Sequence, residues 1–128
     1  VKIYNDNNAT TPQATIEGLR AVGKDRNVIL IAGGAQKGID TSPLISVIAE
    51  YCKKVILLPG TGTDTIKDLI DGTVCTSLEE GVQAALDAGL PGDVLLFSPA
   101  FASFGMFKNE YDRNDQFVKI IQSYAEVE

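Results

Sequence analysis

The sequence predicts an α/β fold, a Rossmann-like, doubly wound and mostly parallel sheet of five to six strands flanked by helices. Short unbroken apolar runs recur at Val28–Ala32, residues 55–58 and Val94–Phe97. Runs without polar alternation suit strands covered on both faces. Between them lie segments with helical stripes and end signals, so that strand and helix alternate about four times, the pattern of a parallel sheet.

In chain order, residues 2–4 form a short strand candidate. Thr11 followed by Pro12 reads as an N-cap with proline at the first helical position, and Gly23 stands where that helix should stop. The run from Val28 is the second strand. Ser42 and Pro43 repeat the capping device ahead of Leu44, Val47, Ile48 and Tyr51, an i, i+3, i+4, i+7 stripe. After residues 55–58, Gly60 to Gly62 read as an ordinary turn, and residues 73–75 as another short strand. Ser77 and Glu80 have capping-box spacing before Leu78, Val82, Ala85 and Leu86, with Gly89 placed to end the helix. Leu90 to Gly92 read as a turn into the strand from Val94, and a last helix carries Phe117, Ile120, Ile121 and Tyr124 on one face.

The 128 residues fit one domain, residues 1–128, with a single core. Eleven Lys and Arg against 17 Asp and Glu give a net charge of −6, which disfavours nonspecific nucleic-acid binding because phosphate neutralisation needs a basic surface. No apolar run approaches the roughly 20 residues that span a bilayer, and no leader pattern is evident; the expectation is a cytoplasmic protein. Cys52 and Cys75 are far apart and match no metal spacing, and the chain has no histidine. They read as packing thiols, and any chemistry must use Lys, Asp, Glu, hydroxyls or backbone amides.

Three loops follow strands at the same sheet edge, where open α/β sheets place ligands. The first, residues 5–10 (NDNNAT), offers Asp6, Asn7, Asn8 and Thr10 just before a helix N-terminus, a setting for an anion or for turn and capping roles alike. The second, residues 33–41, places Lys37 on a bend with Gly33, Gly34 and Gly38. It matches neither the P-loop nor the GxGxxG pattern, but a lysine there can clamp a carboxylate or a developing phosphate charge. The third, residues 98–107, supplies Ser98, Ser103 and the aromatics Phe101, Phe104 and Phe107. With neither a base nor GxSxG context, Ser103 is cast as a hydrogen-bond donor to an acid rather than a nucleophile. The aromatics either wall a pocket or simply cover the sheet.

At these loops the chain resembles the C-terminal domain of Mur ligases, most closely of the D-glutamate-adding members. YNDNNATTPQAT from Tyr4, LIAGGAQKGIDTSPL from Leu30 and LFSPAFASFGMFKNEYDRNDQF from Leu96 carry the resemblance, in family order and spacing over essentially the whole chain. The resemblance implies an ATP-dependent ligase of peptidoglycan synthesis that joins D-glutamate to UDP-N-acetylmuramoyl-L-alanine through an acyl phosphate. It implies ATP and Mg²⁺ in the full-length enzyme, with the phosphate and metal sites mostly on a central domain outside these residues and the UDP on an N-terminal one. Asp6 then matches the aspartate that binds the ATP ribose, and Thr10 a threonine near the D-glutamate carboxylate. Lys37 matches the lysine facing the amino acid's acid group, the one residue given a catalytic part; Ser103 and Phe104 match the serine and apolar residue at the side-chain carboxylate. Asn8, Ala35, Glu110 with Tyr111, and Asn114 depart from the family pattern. Val1 in place of Met favours a piece of a longer chain, inactive alone. Another Mur ligase, a folylpolyglutamate synthase, or a non-catalytic nucleotide- or acid-binding module remain the alternative readings.

Overall fold

The structure, a computed structural model, describes residues 1–127. Five strands alternate with five helices: β1 (Lys2–Asn5), α1 (Pro12–Val22), β2 (Val28–Ala32), α2 (Ser42–Tyr51), β3 (Cys52–Leu57), α3 (Thr61–Ile66), β4 (Gly72–Val74), α4 (Leu78–Ala88), β5 (Val94–Phe97) and α5 (Glu110–Val127). The strands form one sheet in the order β1-β5-β2-β3-β4, and every pairing is parallel.

Side-chain alternation along the strands divides the core. Leu30 and Ala32 of β2, Val55 and Leu57 of β3 and Leu96 of β5 pack with Leu19 of α1, Leu44 and Ile48 of α2 and Ile66 of α3. The opposite faces, Ile29, Ile31, Ile56, Leu95 and Phe97, meet Val82 and Ala85 of α4 and Phe117 of α5. Helices α1 to α3 therefore cover one face and α4 and α5 the other, as right-handed crossovers require when the chain advances from β1 to β4 and then doubles back to β5. Phe97 and Phe117 stack with centroids 4.3 Å apart, worth about 0.5–1.5 kcal/mol beyond their burial.

The end signals operate locally. Thr11 accepts from the Ala14 amide with Pro12 at the first position, a cap worth about 1 kcal/mol. Ser77 accepts from the Glu80 amide, but the Glu80 carboxylate reaches Thr76 rather than Ser77, so the box closes one residue early. Ser42 is the first residue of α2 and not its cap; the Asp40 carboxylate accepts from the Ser42 amide and hydroxyl instead, which holds the Asp40 carboxyl below its usual range. Gly60 to Gly62 are not a simple turn, because α3 begins at Thr61 and Gly62 lies against Phe101, whose ring a Cβ there would meet at 2.4 Å. Cys52 and Cys75 are buried and free, and burial raises both thiols, Cys52 to about 12. Among the described residues no helix is long and apolar enough to cross a membrane.

Candidate functional site

The three loops do share the carboxyl edge of the sheet. Those after β1 and β2 lead to helices on one face and the loop after β5 leads to α5 on the other, so β5 lies at a topological switch point, where a crevice opens. Backbone hydrogen bonds join the loops directly. The Ala100 amide donates to Ala9 O at 2.8 Å and the Gly33 amide to Pro99 O at 2.9 Å, while Ala35 and Ala102 exchange a pair of bonds. Ala100 has φ +68° although it is not glycine, a conformation that costs on the order of 1 kcal/mol and survives only where its surroundings fix it.

Asp6 sits at the end of β1. Its Oδ2 accepts from Ser98 Oγ at 2.7 Å, and that hydroxyl lies 2.8 Å from Thr15 Oγ1. Gly18 is required beside it, since a Cβ there would come within 2.7 Å of Asp6 Oδ2. The carboxylate borders a groove of about 430 Å³ with Tyr4, Asn8, Glu17 and Leu96. A fixed carboxylate at such a groove can accept hydrogen bonds from ligand hydroxyls or amines. Magnesium is different: among the described residues no group of three or more His, Cys, Asp or Glu could hold a metal ion.

Thr10 and Lys37 come together around a crevice too tight to admit a water molecule, with Pro12, Gln36, Ala100 and Phe101, so that all three loops contribute. Lys37 is exposed. Ser103 lies elsewhere: it is buried, at 5% exposure, on an adjacent recess with Gly33, Gly34, Phe107 and Arg113. Phe104 is 69% exposed and lines a third hollow with Pro59 and Gly60. Of the other aromatics, Phe101 and Phe107 are buried and serve the core, so the covering role holds for two and leaves Phe104 unpacked.

Arg113 is a residue that the sequence does not mark as part of the site. It enters from the first turns of α5, whose start is capped by Asn109 Oδ1 accepting from the Asp112 amide. Its side chain is fully buried, and burial pulls its guanidinium down to about 10, still protonated at neutral pH. Nε donates to Asn7 Oδ1 at 2.7 Å, Nη2 to Asn7 O at 2.9 Å and Nη1 to Phe101 O at 3.1 Å. Asn7 Nδ2 returns a bond to Glu110 O at 2.8 Å. The available signal was positional: Arg113 precedes Phe117 by four residues, on the stripe that faces the core. Asn114, on the next position of α5, accepts from Asn5 Nδ2 at 2.7 Å.

A family model described as "Mur ligase, glutamate ligase domain" matches residues 1–101. Curated relatives named UDP-N-acetylmuramoylalanine--D-glutamate ligase are similar along nearly the whole chain. One from Pseudomonas fluorescens is 41% identical, covering 98% of the chain and 29% of the relative; one from Acetivibrio thermocellus is 44% identical, covering 96% and 28%. A third, from Aquifex aeolicus, is 36% identical, covering 95% and 30%. The chain thus spans less than a third of the length of these relatives. With the family model matching well over half of its residues, the chain belongs to the Mur ligase family, as its glutamate ligase domain.

Proposed function

We propose that this chain is the amino-acid-binding, closing domain of an ATP-dependent ligase that adds D-glutamate to UDP-N-acetylmuramoyl-L-alanine in peptidoglycan synthesis. The observation that carries the reading is the convergence of Thr10 and the exposed cation Lys37 beside Phe101, to which all three carboxyl-edge loops contribute in an otherwise acidic protein. The names of the relatives supply the substrate.

In this reading the L-alanine carboxylate is activated as an acyl phosphate at the expense of ATP. The D-glutamate amine then attacks the acyl carbon, the C–N bond forms, inorganic phosphate leaves and the amine sheds a proton. The residues of this chain bind and orient. Lys37 and Thr10 hold the amino acid's carboxylates with the amine free, Ser103 and Phe104 border its side chain from the two neighbouring hollows, and Asp6 accepts from the ribose hydroxyls. Fixing two reactants in an attack geometry contributes several kcal/mol or more to the barrier, and a domain that closes over them excludes water. No step is assigned to a metal on these residues; in this reading the magnesium and phosphate sites lie mostly on a part of the ligase outside this chain.

The test is phosphate release by the full-length parent enzyme, with ATP and the UDP-linked acceptor, against D-glutamate, L-glutamate, L-lysine and diaminopimelate in competition. Strong preference for D-glutamate is expected, with no turnover by the 128 residues alone. Preference for another amino acid, or amide formation by the isolated chain, contradicts the proposal.

A further inference from the structure

Among the described residues the Arg113 side chain has no carboxylate among its acceptors, which are one side-chain and two main-chain oxygens. A guanidinium taken wholly out of water costs several kcal/mol unless its donors are well placed, and an apolar side chain would fill a core position without that cost. The acceptors are what distinguish it. Two belong to Asn7, between Asp6 and Thr10 in the first loop, and the third is the carbonyl of Phe101, two residues before Ser103 in the last. The planar fork fixes both distance and direction, which an ammonium cannot do. Asn7 is locked in turn: its amide group donates to Glu110 O, and its main-chain N–H donates to Asn5 Oδ1 at 3.1 Å.

We infer that Arg113 is a positioning residue of this site, setting the loop that carries Asp6 and Thr10 at a fixed separation from the loop that carries Ser103 and Phe104. The inference rests on the proposed function for what the loops bind, and it concerns a residue beyond the span of the family-model match. Arg113 touches no ligand in this account. It acts through Asn7 and Phe101, and its loss displaces the groups of both loops that hold D-glutamate and the nucleotide, which weakens binding of those two ligands by about tenfold, the worth of one misplaced charged hydrogen bond.

The decisive measurement is steady-state kinetics of the full-length ligase with each substrate varied in turn. Arg113→Lys keeps the charge and loses the fork. KM for D-glutamate and for ATP should each rise about tenfold, while KM for the UDP-linked substrate stays within about twofold, because in the proposed function these loops do not hold it. A merely structural arginine gives the opposite result: lower melting temperature and less active enzyme, with all three KM values unchanged, which overturns the inference. Should Arg113→Lys fail to fold, Asn7→Ser leaves both main-chain acceptors in place and should give the same split at smaller amplitude; its absence there also overturns it. A wild-type parent that prefers another amino acid sinks the proposed substrate instead, and the split is then read with the preferred one. A parent without ligase turnover overturns both.

Discussion

Within a few residues the loop after β2 changes from the most constrained backbone of the site to the least. At its base Gly33 and Gly34 are buried, with φ of +117° and +154°. Gly34 O accepts from the Gly62 amide, the Gly34 amide reaches Thr63 Oγ1 at 3.3 Å, and the Gln36 amide reaches Thr61 Oγ1 at 3.0 Å. At its tip Lys37, Gly38, Ile39 and Asp40 are exposed, and a Cβ on Gly38 would meet nothing within 4 Å. Backbone that is pinned on every side transmits the geometry of the sheet to the site. Backbone that meets nothing leaves a long cationic side chain free to follow a ligand, and the two halves should answer differently to mutation.

The largest effect is expected at the base. A Cβ on Gly33 would lie 2.5 Å from Leu58 O and 2.6 Å from Thr63 Oγ1, at a φ that L-residues rarely adopt. Gly33→Ala should therefore destabilise the chain by about 3 kcal/mol or more, read as a shift in denaturant midpoint. A loss below about 1 kcal/mol would mean that the base yields as the tip does, and the contrast would collapse.

The base also marks where the sequence stops being legible. The central strands β2 and β5 coincide with unbroken apolar runs because both faces are covered and nothing but hydrophobicity is selected there. Helix α3 is different: Thr61, Gly62, Thr63 and Thr65 are poor helix formers, and a reading by propensity makes the segment a turn. Tertiary contacts override that preference, since Thr63 donates to Leu58 O and Gly62 is needed against Phe101. The chemistry-bearing residue types of the three loops are readable one by one, and so is their common edge. Their grouping is not: Thr10 and Lys37 share a crevice, whereas Ser103 turns to Gly34 and Arg113 on the next. That depends on the path of the third loop after the left-handed Ala100, which no pattern of residue types encodes.

An intermediate effect is expected at Thr63, which is 1% exposed and joins the loop base to α3. Thr63→Val preserves shape but leaves Leu58 O without its hydroxyl donor and the Gly34 amide without its acceptor. Leaving buried polar groups unpaired costs about 1–3 kcal/mol each, so a net loss of about 2 kcal/mol is expected. Hydrogen exchange should accelerate at Gly34 and Ala35 while the β2 amides, inside the sheet, remain protected. Uniform acceleration across β2 and the loop would show that base and sheet open as one unit, and would move the boundary of the rigid half outward to the tip.

The smallest effect on stability, and the sharpest on function, belongs to the tip. Lys37 is exposed and lies on the open part of the loop, so Lys37→Ala should change unfolding free energy by less than about 0.5 kcal/mol. If the lysine closes on a substrate carboxylate, the same change removes a charge-assisted hydrogen bond of about 1.5–3 kcal/mol, or roughly ten- to hundredfold in kcat/KM for the amino acid. Lys37→Arg separates reach from charge. A point cation on a flexible stem tolerates many carboxylate positions, whereas the planar fork needs one, so arginine should restore activity only in part. Full activity in Lys37→Ala would remove the tip from the site, and a stability loss like that of Gly33→Ala would show that the tip is packed after all. Either result would erase the division between a base that fixes geometry and a tip that follows the ligand.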